Sequence, residues 1–185
     1  MGLNYFSYLV IFLIGFVFTA AMAEVKESKD IPVTVASVDL NRYTGLWYEI
    51  ARLPNRFQKK CVRNTTASYR LLPDAKIEVV NRCFQADGKA DEVKGIAKVV
   101  DTVSNSKLKV SFFRPLGISL FWGDYWIIGL GENYEYAVVG TPNRKYGWIL
   151  ARQSRLEPAQ LDEIFELLQQ QGYHPADFVM TPQEY

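Results

Sequence analysis

Histidine and cysteine, which often carry out catalysis or hold a metal ion, are scarce in this chain. The sequence of 185 residues contains one histidine, His174, which lies in a turn-like Gly-Tyr-His-Pro segment. One histidine is too few for a His-rich or Cys/His metal site, and no nucleophile motif accompanies it to form a Ser-His-Asp set. Glu49 is a candidate interior acid, but paired acid–base catalysis requires a second carboxylate. The sequence therefore predicts a protein that is not an enzyme and that uses no cofactor or metal.

Residues 1–23 have the layout of a secretory signal peptide. They contain no Lys, Arg, Asp or Glu, and a long apolar run ends on Ala21-Met22-Ala23, which fits an A-x-A cleavage site. Residues 24–37 follow as a polar lead-in, and residues 38–185 are predicted to form the folded domain. The alternative is an uncleaved membrane anchor, because about 19 weakly polar residues approach the length that spans a bilayer.

Export is the expectation that follows from this segment. No cysteine lies at the cleavage point, so the sequence offers no site for a lipid-modified N-terminal cysteine. We therefore expect a protein of the periplasm or the outer-membrane surface in a bacterium, and a secreted protein in a eukaryote. The net charge of +1 at pH 7 argues against a nucleic-acid partner, because affinity for nucleic acid depends on clustered Lys and Arg.

Residues 45–153 alternate between apolar and polar side chains in short runs separated by Pro, Gly, Asn and Asp, which is typical of strands joined by turns. Short turns predict antiparallel pairing, and eight such strands avoid exposed edges by closing into a barrel. Residues 157–171 carry a helical apolar stripe that needs an outer surface to pack on. The sequence thus predicts an all-β fold, an eight-stranded antiparallel up-and-down barrel with one C-terminal α-helix packed outside. The predicted strands are residues 45–53, 61–71, 76–84, 91–101, 107–113, 123–131, 134–141 and 146–153.

Charged residues identify the outward face of several strands and therefore the inward face as well. Lys94 and Lys98, for example, mark one side of their strand as exposed to solvent, which leaves Ala97 and Val99 inside. The inward positions combine small and large apolar residues, and small side chains leave volume unfilled. This pattern predicts a cavity that holds one small ligand. The candidate ligand-binding residues are Glu49, Ala51, Ala67, Tyr69, Val79, Asn81, Ala97, Val99, Val110 and Phe112.

Cys61 and Cys83 are the two cysteines, and an even pair in an exported protein predicts a disulfide. Residues directly opposite each other in an antiparallel pair share a face. Pairing Cys61 with Cys83 sets Ala67 opposite Ile77 and leaves a tight turn at residues 71–73. We therefore predict a cross-strand disulfide in this register.

The residues that open the first strand resemble a known family. Gly45-Leu46-Trp47-Tyr48, directly after a short helical turn, is similar to the Gly-x-Trp signature of lipocalins. The resemblance covers residues 39–178 and points to the branch of bacterial lipocalins and apolipoprotein D. The family's Thr-Asp-Tyr motif is matched only loosely, by Glu132-Asn133-Tyr134. The other matching blocks are Arg52-Leu53-Pro54-Asn55-Arg56-Phe57, Val80-Asn81-Arg82-Cys83, Leu108-Lys109-Val110-Ser111-Phe112-Phe113 and Tyr146-Gly147-Trp148-Ile149-Leu150-Ala151-Arg152.

The resemblance implies a carrier that stores or transports fatty acids, lysophospholipids or similar hydrophobic ligands in the cell envelope, for membrane maintenance. It also implies that Arg152 lies across the ring of Trp47, so that these two residues and Gly45 hold the closed end of the barrel together and do not contact ligand. Two alternatives remain open: a thiol-dependent lipid isomerase that uses Cys61, and an envelope module that binds protein partners. A homodimer also remains open.

Loops after odd-numbered strands are expected at the open end of the barrel. The loop of residues 115–122, from Pro115 to Trp122, is unusually apolar for an exposed loop. It either docks on a membrane surface or folds into the mouth and caps the core. Arg56, Lys59 and Lys60, in the first of these loops, are candidates to meet a lipid head group.

Overall fold

A computed structural model describes residues 31–113 and 115–184 of the chain. The predicted signal peptide and residues 24–30 of the lead-in lie outside the described residues. Two α-helices and nine β-strands are formed by this part of the chain. They are α1 (Leu40–Tyr43), β1 (Gly45–Arg52), β2 (Arg63–Leu71), β3 (Ile77–Phe84), β4 (Ala90–Val99), β5 (Lys107–Ser111), β6 (Gly123–Leu130), β7 (Tyr136–Gly140), β8 (Gly147–Ala151), α2 (Pro158–Gln170) and β9 (Val179–Met180).

The sheet closes on itself because β1 pairs with strands from both ends of the order. Strands β2 to β8 each pair with their sequence neighbours, and β1 lies between β8 and β2. All of these pairings are antiparallel. The predicted eight-stranded barrel is therefore confirmed. The structure adds β9, a two-residue strand that pairs with Ala51 and Arg52 at the end of β1.

Helix α2 packs on the outside of the barrel, as predicted. Its Ile164 and Leu168 are almost fully buried in a cluster that includes residues of β1, β6, β7 and β8. The helix begins with Pro158, whose fixed φ suits the first helical position. It stops before Gly172, which has a φ of +76°, a left-handed conformation that glycine adopts without steric cost. Neither helix described is long and apolar enough to cross a membrane.

Residues 35–43 seal the end of the barrel at which β1 begins. The side chains of Val35 and Val38 pack in the interior cluster. The amide of Val35 donates to the carbonyl of Ile127, and the amide of Val38 donates to the carbonyl of Ser104. The last part of the predicted lead-in thus belongs to the barrel floor, and the loops after β1, β3, β5 and β7 lie at the opposite, open end.

The disulfide between Cys61 and Cys83 is confirmed, with the two Cα atoms 5.5 Å apart. Cys61 lies in the loop before β2 and outside the strand ladder. The pairing of β2 with β3 is also irregular between Arg63 and Thr66. Because the irregular segment absorbs the offset, the bond links the loop before β2 to β3 without setting the register of the two strands.

The register predicted from the disulfide is wrong. Ala67 faces Asn81 in the structure, not Ile77. The turn between β2 and β3 occupies residues 72–76, where the amide of Leu72 donates to the carbonyl of Lys76. In a hairpin the turn fixes the register. The inward parity of both strands is unchanged, because the shift moves the pairing by an even number of residues.

Candidate functional site

The inward face of the barrel is the candidate ligand-binding site. Asn81 shares this face because its partners in the ladder are Ala67 and Val93. Glu49 also lies on it, opposite Leu150 of the interior cluster. Most of the predicted lining residues are members of that cluster or pack against it, namely Ala67, Tyr69, Val79, Ala97, Val99 and Val110.

The exposure of the inward-facing side chains increases toward the open end. Ala97 is 3% exposed, whereas Val93 on the same face of β4 is 44% exposed and Phe112 is 36% exposed. Gly95 lies between them, and a Cβ on Gly95 would be only 2.6 Å from Cδ1 of Phe112. Glycine is therefore required for the Phe112 ring to lie against the wall. Solvent reaches the apolar wall from the open end of the barrel.

Ala51 lies on the outer face of the barrel, contrary to the prediction. The pairing of β1 with β8 shifts between Glu49 and Ala51, and this bulge sets Ala51 opposite Ile149 in the cluster beside α2. Beyond the bulge Arg52 lies opposite Trp148, which packs against the interior cluster. One extra residue reverses the alternation of a strand, so simple periodicity assigned the wrong residue to the interior.

A hydrogen-bonded network surrounds the carboxylate of Glu49, which is 3% exposed. Arg52 Nη1 donates to Glu49 Oε1 at 2.7 Å, and Gln58 Nε2 donates to Oε2 at 2.6 Å. Thr181 Oγ1 also donates to Oε1, at 2.6 Å. A buried carboxylate is tolerated when it is paired and hydrogen-bonded in this way. Sequence reasoning missed Arg52, Gln58 and Thr181 as interior groups. Thr181 is 132 positions from Glu49 in the sequence, and no local pattern shows that two such distant residues are in contact.

The segment of residues 179–184 fills the space where β1 and β2 separate. Their mutual pairing covers only the first half of β1, from Gly45 to Tyr48. Farther along, Gln183 Nε2 donates to the carbonyls of Glu49 and Thr65, at 2.8 and 3.0 Å. The C-terminal segment therefore completes the wall on the mouth side of the barrel.

A cationic pocket of about 360 Å³ lies at the rim, beside this network. Its cations are Arg52, Arg56 and Lys59, and no acidic residue contributes to its lining. Of the three predicted head-group contacts, Arg56 and Lys59 line the pocket and Lys60 does not. The full lining is Arg52, Pro54, Asn55, Arg56, Gln58 and Lys59.

Three tyrosine hydroxyls meet inside the barrel, toward its closed end. Oη of Tyr125 lies 2.7 Å from Oη of Tyr43 and 2.9 Å from Oη of Tyr69. Burial raises the pKa of Tyr69 to about 12 and raises the pKa values of Tyr43 and Tyr125 well above the usual tyrosine range. Sequence reasoning had selected only Tyr69. Tyr125 could have been found from its parity with Ile127, whereas Tyr43 lies in α1, outside the strand pattern.

Two buried side-chain oxygens of the described residues have no hydrogen-bond partner, Thr65 Oγ1 and Asn81 Oδ1. Both residues are on the inward faces of their strands, nearer the mouth than Tyr69. An unpaired buried polar atom costs about 1–3 kcal/mol. The interior wall therefore offers hydrogen-bonding positions to a bound molecule in addition to apolar surface.

At the closed end, the guanidinium of Arg152 lies over the indole of Trp47, with Cζ 3.8 Å from the ring centroid. Arg152 Nη1 donates to the carbonyl of Leu46, and Nη2 donates to that of Thr44, both at 2.8 Å. Gly45 has a φ of +95°, and a Cβ there would lie 3.3 Å from Arg152 Nη1. The three residues thus join the beginning of β1 to the end of β8.

A family model of the lipocalin-like domain matches residues 38–183, which include the whole barrel, α2 and the C-terminal segment. The chain belongs to the lipocalin family. Members of this family bind small hydrophobic ligands inside the barrel, which is the place where the apolar wall and the unpaired polar atoms occur here.

Three relatives agree with this assignment. The lipocalin is 38% identical to temperature-induced lipocalin-1 of Arabidopsis thaliana over 160 residues, which cover 85% of each chain. It is 34% identical to the outer membrane lipoprotein Blc of Escherichia coli (strain K12), over 89% of this chain and 93% of Blc. It is 32% identical to apolipoprotein D of Macaca fascicularis, over 83% and 81% of the two chains. The resemblance to bacterial lipocalins and apolipoprotein D is confirmed.

The isomerase alternative requires a free thiol at Cys61, and in this lipocalin the sulfur of Cys61 is bonded in the disulfide. Neither Cys61 nor Cys83 is free. A thiolate is the reactive form of cysteine, and a disulfide sulfur cannot ionise to one. In the part of the chain that the structure describes, no three His, Cys, Asp or Glu side chains are grouped to hold a metal ion.

The loop between β5 and β6 extends from the mouth of the lipocalin into solvent. Leu116 is 100% exposed and Phe121 is 82% exposed, and Phe113 and Ile118 are also exposed. Leu116 and Phe121 have φ values of 53° and 55°, a left-handed conformation that is costly for residues with a Cβ. These side chains do not fold into the mouth. Leu120 instead returns to the wall, where its carbonyl accepts a hydrogen bond from Ser111 Oγ.

Proposed function

We propose that this lipocalin carries one long-chain fatty acid or lysophospholipid, with the acyl chain in the barrel and the head group at the rim. The supporting observations are an apolar inward wall that contains small residues such as Ala67, Gly95 and Ala97, and a cationic pocket at the rim. An acyl chain gains about 0.8 kcal/mol for each CH₂ group removed from water. Ligand affinity at a wall of this kind depends more on the length of the acyl chain than on any particular ligand shape.

The charges at the rim favour an anionic head group. Arg52 is neutralised by Glu49, with which it forms a 2.7 Å ion pair. Arg56 and Lys59 take part in none of the ion pairs formed by the described residues. Both cations are exposed at the pocket, and a carboxylate or phosphate placed there would accept charge-assisted hydrogen bonds.

Removing the two unpaired cations is expected to weaken anion binding selectively. The double variant Arg56→Gln, Lys59→Gln should bind hexadecanoate about 3–10-fold more weakly than the wild type, because exposed ion pairs contribute about 0.2–1 kcal/mol each. Binding of the uncharged methyl ester should not change. Both affinities are measured by displacement of a fluorescent fatty-acid probe from delipidated protein.

The matched control removes two cations from the opposite end of the barrel. Arg70 and Lys76 pair with Glu78 and Asp74 there, and their replacement by Gln should leave both affinities unchanged. An equal loss of hexadecanoate affinity in the two double variants would show that the cations act through long-range charge and not through contact with the head group. If neither fatty acids nor lysophospholipids displace the probe from the wild type in a saturable way, the carrier function is contradicted.

We also infer that the protein is exported and that its mouth docks on a lipid surface. Disulfides persist in oxidising, extracytoplasmic compartments, and the related Blc is named as an outer membrane lipoprotein. Leu116 and Phe121 extend from one mouth loop, and Phe57, 64% exposed, extends from another. Arg56 and Lys59 lie beside them. Apolar side chains that enter the acyl boundary, with basic residues at anionic head groups, are typical of proteins that bind at the membrane interface.

The tip of the loop is expected to carry most of the membrane affinity. The double variant Leu116→Ser, Phe121→Ser should lower partition into phosphatidylglycerol/phosphatidylcholine vesicles by at least about 10-fold, because burying a large apolar side chain contributes about 1.5–3 kcal/mol. Hexadecanoate affinity in solution should stay unchanged. Sedimentation with vesicles measures the partition.

The control for this variant is Val103→Ser. Val103 is 94% exposed, but it lies in the turn between β4 and β5 at the closed end. This change should have no effect on partition. If the loop variant sediments with vesicles like the wild type, the loop does not dock on lipid. If the wild type instead forms a concentration-dependent dimer and this variant does not, the loop contacts a second copy of the chain.

A further inference from the structure

The cluster of Tyr43, Tyr69 and Tyr125 has one more hydrogen-bond donor than it can use. Each hydroxyl carries one proton, and the three oxygens make two contacts with one another. No other residue of the described chain is a hydrogen-bond partner of these oxygens. Whichever way the two hydrogen bonds run, one O–H group is therefore left without an acceptor among the described residues.

This spare donor lies among the inward-facing side chains, toward the closed end of the barrel. The three rings come from α1, β2 and β6 and belong to the interior cluster or pack against it. Tyr43 and Tyr69 are buried, whereas Tyr125 is only partly buried although it is on the inward face. Of the three side chains, Tyr125 is thus the least buried.

We propose that the tyrosine cluster is a recognition site for a neutral oxygen at the buried end of the ligand, such as the hydroxyl or ketone of an oxygenated long-chain lipid. This inference rests on the proposed carrier function and narrows its ligand class. The oxygen accepts the spare proton, so a hydroxylated chain end completes the hydrogen bonding of the cluster. A plain methyl end leaves the donor unsatisfied.

The cluster favours a neutral oxygen over a second carboxylate. Burial raises the pKa values of all three phenols, so the hydroxyls remain uncharged donors near neutral pH. Among the described residues, no Lys or Arg donates a hydrogen bond to the three oxygens, and the charge of Arg152 acts on Tyr43 only through space. A buried charge without a direct partner is far more costly than a buried neutral polar group.

The test compares ligands of equal chain length on the full chain with its disulfide intact. The probes are hexadecanoic acid, its ω-hydroxy derivative and hexadecanedioic acid, and their affinities are measured by isothermal titration calorimetry. An apolar floor would penalise the added hydroxyl on the order of 10-fold. We expect the wild type to bind the ω-hydroxy acid at least as tightly as the parent acid and to bind the diacid most weakly.

Replacement of all three tyrosines by phenylalanine keeps the rings and removes the hydroxyls. This variant should lose the wild-type preference and bind the ω-hydroxy acid about 10-fold more weakly than the parent acid. The control is Tyr173→Phe, which removes a buried hydroxyl of the outer cluster. That hydroxyl accepts from the amide of Thr141 and shares its one proton between the carbonyls of Thr141 and Tyr146. This control substitution should leave the ratio of the two affinities at the wild-type value.

If the triple variant does not fold, the ratio of the wild-type affinities for the parent acid and the ω-hydroxy acid is sufficient to test the inference. A wild type that binds the parent acid 10-fold better than the ω-hydroxy acid overturns the recognition site but leaves the carrier function intact. A triple variant that keeps the wild-type ratio also overturns it. If none of the three acids binds, the carrier function fails and the inference fails with it.

Discussion

Replacing Trp47 by alanine is expected to lower the free energy of unfolding by about 3–5 kcal/mol, the usual cost of truncating a fully buried large ring. Trp47 is 0% exposed. Its ring centroid is 5.1 Å from that of Tyr43, and its Nε1 donates to the Tyr43 carbonyl at 2.9 Å. The truncation would leave a cavity at the closed end, where the first strand joins the last.

Replacing Arg152 by alanine is expected to cost about 2–4 kcal/mol, because it removes a cation–π contact and leaves backbone acceptors unpaired. The guanidinium bonds the carbonyls of Arg42, Thr44 and Leu46 while it lies on the Trp47 ring. Arg152→Lys should recover little of the loss, since an ammonium group cannot stack on indole and donate sideways to several carbonyls. Denaturant unfolding measures both variants.

The double variant Trp47→Ala, Arg152→Ala tests whether the two side chains act together. Its loss of stability should be smaller than the sum of the single losses, because each single change already removes their contact. Arg82→Ala is the control, since Arg82 lies at 5.6 Å over Phe84 on the exposed surface. It should change stability by no more than about 0.5 kcal/mol. Normal unfolding midpoints combined with lost lipid binding would instead place Trp47 and Arg152 in a ligand site.

The substitution Ala97→Trp is expected to reduce fatty-acid affinity on the order of 100-fold. Ala97 points into the barrel between Ile77 and Val110, so an indole there would occupy the space of the acyl chain. Loss of about four methylene contacts at about 0.8 kcal/mol each corresponds to this factor. Probe displacement measures the affinity, and the unfolding midpoint shows whether overpacking, which costs about 1–3 kcal/mol, has damaged the fold.

Lys98→Trp is the matched control for this substitution. Lys98 is the next residue along β4, and its exposed side chain is on the outward face. The same large residue inserted there should leave fatty-acid affinity within about twofold, because surface changes away from a site are close to neutral. Full affinity in a folded Ala97→Trp protein would show that the ligand does not occupy the barrel.

The alternation of apolar and polar residues was sufficient to predict the barrel, the external helix and the face of most strands. Side chains of a strand alternate with a period of two, so this information is local and survives in a single sequence. Lys94 and Lys98 identify the outward face of β4 without any knowledge of its neighbours. The pairing of Cys61 with Cys83 was predictable for a similar reason, because the chain has no other cysteine.

The tertiary structure decided the details that depend on contacts between distant segments. The register of β2 on β3 follows from the turn at residues 72–76 and from the irregular segment after Cys61, not from the disulfide. The bulge in β1 moves Ala51 to the outside and Arg52 to the inside. One added residue in β1 exchanges the inward and outward positions beyond it, and the local sequence pattern does not indicate where this bulge occurs.

The polar groups of the candidate site were the least predictable from sequence. The carboxylate of Glu49 is satisfied by Arg52, Gln58 and Thr181, and the tyrosine cluster combines rings from α1, β2 and β6. The alternation of apolar and polar residues indicates whether a side chain faces inward, but it does not indicate which other side chains it contacts. Barrel closure brings these groups together across the interior, so only the folded chain determines which hydrogen bonds they form.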